Sequence, residues 1–155
     1  MEDKDFTKCF VFHDMDWVQD ILHMSELGLW NMVTDKDMQN VKFYIDGTMA
    51  RLLGAKENMS PEACFEFWYK RINRGNHAYV NDVMNRIVHT GKLCEVQYTW
   101  NHPEWGDIPV RCAGRSRQLP DGRVLITGYH QNMADLEQMK RWSMNVSWKR
   151  SLSTI

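Results

Sequence analysis

The sequence lacks the motifs that mark most enzymes. Among its 155 residues there is no HExxH metal motif, no GxSxG nucleophile motif and no glycine-rich phosphate loop, since the nine glycines are scattered. The six histidines form no pair with a cysteine that the sequence alone would place together. We therefore predict no catalytic residue and no metal site in this segment, and no kinase, ATPase or nucleotidyl cyclase chemistry.

Excess charge and long apolar runs are also missing. The net charge is -1 and the pI is near 6.6, so the chain has no general field that attracts a phosphate backbone or an anionic lipid surface. No apolar run approaches the length that crosses a bilayer. We expect no nucleic-acid partner and no membrane span in this segment.

The four cysteines are widely spaced and contain no CxxC pair. The charged N-terminal residues do not have the pattern of a secretory leader. We therefore expect reduced thiols and a cytoplasmic location, either for the chain alone or for the cytosolic part of a membrane-bound receptor. With 43% hydrophobic and 25% charged residues, the chain has the composition of one globular domain.

The stretch from Cys94 to Asn132 has the most regular pattern in the chain. Three runs with alternating apolar residues are joined by two segments of turn-forming residues, the second being Pro120-Asp121-Gly122. This pattern predicts a three-stranded antiparallel meander in which each strand has one apolar face. The predicted apolar faces carry Val96, Tyr98, Trp100, Val110, Cys112, Gly114, Val124, Ile126, Gly128 and His130.

Several helices and a further hairpin are predicted around this meander. Apolar spacing indicates a short amphipathic helix over roughly residues 16 to 25, before a hairpin formed by LGLWNMVT and VKFYID. A brief helix, TMARLLG, and a helix from Ser60-Pro61 to about Asn73 come next. The longest internal helix is predicted from His77 to Thr90, and a polar amphipathic helix from Ala134 to about Lys149 follows the meander.

Five sequence pieces, taken in order, carry a resemblance to a known family. They are LGLWNM, FYIDGTMARLLG, FEFWYKRI, IVHTGKLCEVQYTWNHPEWGDIPVRCAGR and LPDGRVLITGYHQNMADLE. In this order they resemble a PAS domain of the kind found in bacterial sensor kinases. The resemblance implies an α+β fold, with a five-stranded antiparallel sheet in the order 2-1-5-4-3, helices covering one face, and a cavity between them. It divides the chain into a lead-in and flanking helix at 1–25, a PAS domain at 26–133 and a signalling or linker helix at 134–155.

The resemblance also implies a function. A PAS domain receives a ligand, cofactor or partner and passes a conformational bias to an output domain. We therefore expect a sensory or interaction module of a signal-transduction protein, a histidine kinase or hybrid kinase of a two-component system, whose output domain lies outside this chain. The apolar residues of the two terminal helices lead us to expect a homodimer through them. The alternatives are a stand-alone small-molecule-binding protein and a haem- or flavin-dependent sensor.

The sequence does not identify a cofactor, and we expect none. The photochemical flavin PAS domains carry an NCRFLQ-like motif after the core helix, and this sequence has no match to it. Haem PAS sensors usually place a histidine on the long helix. The two candidates here, His77 and His89, are predicted at the ends of that helix, where we expect them to be exposed.

The candidate ligand pocket centres on His130, which shares a strand face with Ile126 and Gly128. Gly128 leaves space for a close approach, and a glutamine occupies the place of His130 in flavin-binding PAS domains. His130 is either a core histidine bonded to a backbone carbonyl or a ligand contact. We interpret Cys112 as a small hydrophobe, and the aromatic residues, including Tyr79 and Trp100, as core packing or a pocket lining. The candidate pocket residues are His130, Gly128, Ile126, Met84, Ile87, Trp68, Tyr98, Cys112 and Trp30.

Overall fold

The computed structural model describes residues 15–56 and 58–134, in which one antiparallel sheet is covered by helices on one face. The predicted helix after Ala134 and the N-terminal lead-in lie outside these residues. The strands are β1 (Leu27–Thr34), β2 (Lys42–Ile45), β3 (Cys94–His102), β4 (Gly106–Gln118) and β5 (Val124–Asn132). The helices are α1 (Met15–Met24), α2 (Gly47–Leu53), α3 (Pro61–Lys70) and α4 (His77–Thr90), with a short 3-10 turn at Arg74–Asn76.

The sheet has five strands in the order β2-β1-β5-β4-β3, which confirms the predicted α+β architecture. Every neighbouring pair of strands is antiparallel. The register places Gly128 of β5 between Trp30 of β1 and Gly114 of β4. Two residues away on each strand, Cys112 of β4 lies opposite His130. The pairing of Trp30 with Gly128 joins segments far apart in sequence, whereas the pairing of Cys112 with His130 belongs to the β4–β5 hairpin.

The helix ends follow the signals in the sequence. The Asp46 side chain accepts a hydrogen bond from the Met49 amide at 2.8 Å, and Ser60 Oγ accepts one from the Ala63 amide at 3.1 Å. Gly54 and Gly91 end α2 and α4 with φ angles of 62° and 66°, in the left-handed region that favours glycine. These caps confirm the predicted starts of α2 and α3 and the predicted ends of α2 and α4.

Helix α3 ends at Lys70, and the prediction that it reaches Asn73 is wrong. Beyond the helix, the chain pairs with β3: the Asn101 amide donates to the Arg71 carbonyl at 2.8 Å, and the Asn73 amide donates to the Thr99 carbonyl at 3.0 Å. A backbone used for cross-strand bonds cannot also continue the i to i−4 ladder of a helix.

The β3–β4 hairpin is longer than the alternating runs CEVQYTW and IPVRCAGRSRQ, because β3 continues to His102 and β4 begins at Gly106. His102 Nδ1 accepts hydrogen bonds from the amides of Glu104 and Trp105, both at 3.1 Å, and so closes a short loop. The Trp105 ring stacks on the His102 ring with centroids 3.8 Å apart. Trp105 therefore packs back onto the hairpin, although 47% of it stays exposed.

The hydrophobic core lies between the inner face of the sheet and the helices. Helix α4 buries the apolar stripe that its spacing predicts, while Leu52 and Leu53 of α2 are fully buried. Tyr79 of α4 is 48% exposed, so its proposed place in an aromatic pocket is wrong; it lies one residue outside the buried stripe. The buried α4 residues are Val80, Val83, Met84 and Ile87. No helix in the described ranges is long and apolar enough to span a bilayer.

Candidate functional site

A closed apolar cavity of about 10 Å³ lies between the sheet and the helices. Space of this size corresponds to about one water molecule, but a water needs polar partners that this lining scarcely offers. The interior is therefore nearly filled by the protein's own side chains. The lining residues are Trp30, Met32, Phe43, Met49, Trp68, Val80, Met84, Ile87, Val96, Cys112 and Ala113.

The Trp30 indole fills the space above two facing glycines, Gly114 and Gly128. A Cβ atom added to Gly114 would lie 3.0 Å from Trp30 Cη2, and one added to Gly128 would collide with the indole and with the Ala113 carbonyl. The close approach predicted at Gly128 is confirmed, and the group that makes it is a tryptophan of the core itself. Beside this glycine the Trp30 indole therefore occupies the place that a ligand would need.

Three methionines, Met32, Met49 and Met84, line the cavity together with Trp30, and we call this part of the lining the methionine side. All three are buried, at 1%, 0% and 7% exposure. Helix α2 brings Met49 close to β1: a Cβ atom on Gly28 would lie 2.7 Å from Met49 Cα, so this approach requires glycine. Methionine is unbranched and flexible, so this side of the cavity can change shape with little strain.

The interior also contains a chain of buried polar groups, which lies beside the methionine side. Trp68 Nε1 donates a hydrogen bond to the Tyr98 hydroxyl at 2.8 Å. The Tyr98 hydroxyl lies 3.1 Å from Cys112 Sγ, which in turn lies 3.0 Å from His130 Nδ1. The partner of His130 is thus a thiol, and the expected bond to a backbone carbonyl is wrong. Cross-strand register brings the thiol and the imidazole together, since Cys112 and His130 face each other on β4 and β5.

The groups in this polar chain are uncharged near neutral pH. Burial raises the pKa of the Cys112 thiol to about 12 and lowers the pKa of the His130 imidazole to about 3. Burial also raises the pKa of Tyr98 well above its usual value. Cys112 is therefore not a reactive thiolate, in agreement with its interpretation as an inert core residue, although it is hydrogen-bonded as well as packed.

The hydrogen bonds of this chain leave one buried nitrogen without a partner. The Trp68 N–H can only donate, so Tyr98 accepts that bond and its own proton is available to Cys112. When the Cys112 proton in turn points to His130 Nδ1, the His130 proton is on Nε2. His130 is 0% exposed, and its Nε2 has no hydrogen-bond partner in the described part of the chain.

The nine candidate pocket residues lie in one region of the structure, but only five of them line the cavity. Trp30, Trp68, Met84, Ile87 and Cys112 line the cavity. Tyr98 and His130 belong to the polar chain, while Ile126 and Gly128 lie on β5 beneath the Trp30 ring. Sequence reasoning missed further lining residues, namely Met32, Phe43, Met49, Val80, Val96 and Ala113.

A signal for Met49 was present in the sequence. In the predicted helix TMARLLG, Met49 precedes Leu52 and Leu53 by three and four residues, which places it on the same helix face. Val80 belongs to the apolar stripe of α4, and Val96 belongs to the predicted inner face of β3. Met49, Val80 and Val96 could therefore have been found by combining the predicted faces of these three elements.

Neither histidine proposed as a haem ligand lines the cavity. His89 is exposed, and its Nδ1 is 2.8 Å from the Asn85 carbonyl oxygen. The half-buried His77 packs edge-on against Tyr69, with ring centroids 4.8 Å apart. The described interior has no space for a haem or a flavin ring beside Trp30. Within residues 15–56 and 58–134, no group of three or more histidine, cysteine or acidic residues is placed to hold a metal ion.

Comparisons with known proteins identify the fold. The sequence matches no protein-family model and no curated protein. Among solved structures, it is similar to a sensory box histidine kinase/response regulator from Burkholderia thailandensis, with a TM-score of 0.60 and 14% identity over 89% of this chain and 98% of the other.

Two further structures support the same assignment. One is an RNA-binding light-oxygen-voltage receptor, with a TM-score of 0.60 and 15% identity over 81% of this chain and 33% of the other. The second is the N-terminal domain of a diguanylate cyclase with PAS/PAC sensor from Marinobacter aquaeolei, with a TM-score of 0.54 and 18% identity over 71% of this chain and 98% of the other. At these identities the similarity concerns the fold, and it shows that the chain has a PAS fold.

Proposed function

We propose that this chain is a sensory or interaction module of a signal-transduction protein, and that the interior of its PAS fold is the input site. The similar structures named above include a histidine kinase and a diguanylate cyclase sensor, which supports a signalling role. In this proposal residues 26–133 form the sensory unit and residues 134–155 carry its signal to the output domain of a histidine kinase or hybrid kinase.

One observation carries the proposal: a flexible methionine lining lies directly beside a fixed polar chain. A ligand cannot enter the cavity as it stands, because about 10 Å³ is too small for an organic molecule. Displacement of Met32, Met49 or Met84 would make room, and such displacement would change how the helices pack on the sheet. His130 Nε2 is a buried donor that an acceptor group on the ligand could satisfy. The input molecule in this proposal is small, neutral and largely apolar.

Methionine methyl NMR tests this proposal with defined probes. Protein labelled with 13C at the methionine methyl groups would be titrated with benzene and with indole. The methyl signals of Met32, Met49 and Met84 should shift at saturation, and the melting temperature should rise. Met24, which is 75% exposed on α1, supplies the matched control signal and should not move. If neither probe moves the three interior methyl signals more than that of Met24, the interior is not an input site.

The role of His130 can be tested in the same titration. If His130 contacts the ligand, His130→Ala should weaken binding of indole while the free protein keeps its fold. If His130 serves only the fold, the variant should lose about 1 to 3 kcal/mol of stability, with and without the probe. Melting curves measured in both conditions separate these two roles. Equal destabilisation in both conditions would reject the ligand contact.

Exposed apolar residues support a second part of the proposal, a homodimer through the terminal helices. On α1, Ile21 is 41% and Met24 is 75% exposed, and on the adjacent strands Leu29 is 38% and Tyr44 is 46% exposed. A second copy of the chain could cover such a surface. We expect sedimentation to show self-association at increasing concentration, and Ile21→Lys to weaken it. A strict monomer at high micromolar concentration would remove the dimer from the proposal.

A further inference from the structure

An open groove of about 370 Å³ lies between α3 and α4 on the outside of the helical layer. Two of its lining residues, Trp68 and Met84, also line the closed interior cavity. These two side chains are therefore the wall between the groove and the interior. The complete lining consists of Met38, Phe65, Trp68, Tyr69, Asn81, Met84 and Asn85.

The two wall residues are held differently. Trp68 is fixed by its hydrogen bond to Tyr98 and by two neighbouring rings, Phe43 at 5.7 Å and Phe65 at 5.9 Å between centroids. Met84 has a flexible thioether side chain whose rotamers interconvert easily. Rotation of Met84 would open the wall without breaking a hydrogen bond of the polar chain.

A second groove, of about 320 Å³, reaches the cavity wall near α2 and shares Phe43 with it. Phe43 is 2% exposed and packs against Trp30 and Trp68, each at 5.7 Å between ring centroids. Its displacement would disturb both indoles at once. The groove between α3 and α4 is therefore the easier route to the interior.

We propose that the groove between α3 and α4 binds a neutral, largely apolar small molecule and leads it into the interior, with Met84 as the movable wall. This inference rests on the proposed function. None of the seven lining residues carries a charge, which disfavours an ionic ligand. The polar groups of the groove are the Asn81 and Asn85 amides and the Tyr69 hydroxyl. Tyr69 is hydrogen-bonded to the Asn81 Oδ1 and Nδ2 atoms at 3.1 and 3.0 Å and so joins the two helices at this groove.

Cys112 provides a ligand-free test, because its thiol lies on the far side of the Met84 wall. The probe is methyl methanethiosulfonate, a small neutral reagent. The Cys112 sulfur attacks the sulfenyl sulfur of the reagent, a methyl disulfide forms, methanesulfinate leaves and the thiol proton goes to solvent. Peptide mapping by mass spectrometry gives the labelling rate of each cysteine separately. All variants are compared at one pH, since burial slows the reaction of this thiol in each of them.

Two substitutions at Met84 should move the Cys112 labelling rate in opposite directions. Met84→Ala should raise it on the order of tenfold by lowering the free energy of opening. Met84→Leu keeps the volume but stiffens the side chain, so the rate should fall several-fold while the fold is retained. Cys64 is the internal reference: it is 3% exposed and lines the second groove, so its labelling rate should not change.

Three results would overturn the inference. The first is an equal rise for Cys64 and Cys112 in Met84→Ala, which would indicate general unfolding. The second is an unchanged Cys112 rate in both Met84 variants. The third is a larger acceleration of Cys112 by Phe43→Leu than by Met84→Ala, which would assign the route to the second groove. The labelling experiment uses no ligand, so its result is independent of the methionine NMR titration. Failure of the proposed route can therefore be distinguished from failure of the proposed input site.

Discussion

Two groups of interior residues are held together in different ways. The methionine side, Met32, Met49 and Met84, lines the cavity with Trp30 through apolar packing, which has no preferred direction. The polar chain, Trp68, Tyr98, Cys112 and His130, is joined by hydrogen bonds of 2.8 to 3.1 Å, which have preferred directions. Both groups are buried, and both combine strand residues with helix residues. They therefore contribute differently to the same core: the polar chain specifies geometry, and the methionine side permits rearrangement.

This difference would allow a nearly filled core to serve as the input site that we propose. Packing among flexible side chains has several arrangements of similar free energy, so a ligand of modest affinity can select among them. A chain of buried hydrogen bonds has one good arrangement, because each unpaired group costs about 1 to 3 kcal/mol. Substitutions in the polar chain and in the methionine side should therefore change the free energy of unfolding by different amounts and for different reasons.

Trp30→Ala should have the largest effect, because Trp30 joins the methionine side to the two glycines of the sheet. The variant should lose about 3 to 5 kcal/mol of unfolding free energy through lost burial and the cavity left behind. Urea unfolding measures this loss. An apolar cavity of that size binds benzene, so benzene should raise the stability of the variant more than it raises that of the parent. A loss below about 1 kcal/mol would mean that the indole is not a core group.

Tyr98→Phe should have the next largest effect, and it breaks the polar chain alone. It removes the acceptor of Trp68 Nε1 and a partner of Cys112 Sγ while it keeps the ring in place. We expect a loss of about 1 to 3 kcal/mol in urea unfolding. Tyr44→Phe is the matched control, since Tyr44 is 46% exposed on β2 and should change stability by less than about 0.5 kcal/mol. Equal effects of the two substitutions would show that the buried chain adds nothing specific.

The pH dependence of stability reports on His130. Its pKa is lowered to about 3 by burial, from an ordinary value of 6.5. As pH falls below the ordinary value, the unfolded chain binds a proton that the folded protein does not, so stability is lost from there down toward the folded pKa. The slope from this one group is about 1.4 kcal/mol per pH unit. The burial of His102 also lowers its pKa, so it adds a loss of the same sign.

His130→Gln isolates the contribution of His130 to the pH dependence of stability, because glutamine stays neutral. Unfolding free energies measured between about pH 7 and about pH 5 should fall less steeply for this variant than for the parent chain. His102→Gln is the companion variant, and it should leave most of the pH dependence in place. If His130→Gln keeps the full slope of the parent, the buried imidazole is not the group that couples stability to pH.

Substitutions among the methionines should have the smallest effects. Met32→Leu and Met49→Leu keep the side-chain volume and should each cost less than about 1.5 kcal/mol, because flexible neighbours can repack. Thermal unfolding measures this cost. A loss as large as that of Tyr98→Phe would mean that the methionine side is as tightly specified as the polar chain, and the contrast between them would not hold.

The parts of the fold that could be predicted are those with local causes. Asp46 and Ser60 begin their helices through hydrogen bonds to residues three positions later, and Gly54 and Gly91 end theirs through positive φ angles. These features depend on neighbouring residues, so the sequence indicates them directly. The contact between Cys112 and His130 could also have been predicted from the sequence. The β4–β5 turn fixes the hairpin register, and counting back along both strands from the turn brings these two residues opposite each other.

The position of Trp30 could not be predicted in this way. Its place above Gly128 depends on the pairing of β1 with β5, which joins segments far apart in the chain. Side-chain rotamers then decide whether the space above the glycine is filled or empty, and alternation of apolar residues contains no information about rotamers. The cavity volume and the identity of the wall residues depend on the same two factors, the pairing of β1 with β5 and the side-chain rotamers.

Helix α4 is attached to the sheet at both of its ends. The side chain of Asn76, just before the helix, accepts a hydrogen bond from the Thr99 amide of β3 at 3.0 Å, and Ser116 of β4 donates one from its hydroxyl to the Ile87 carbonyl. A sliding motion of α4 along its own axis would break both bonds. An outward displacement of its centre would instead be transmitted through these attachments as a change in the twist of β3 and β4, and would reach the opposite face of the sheet without any helix shifting its register.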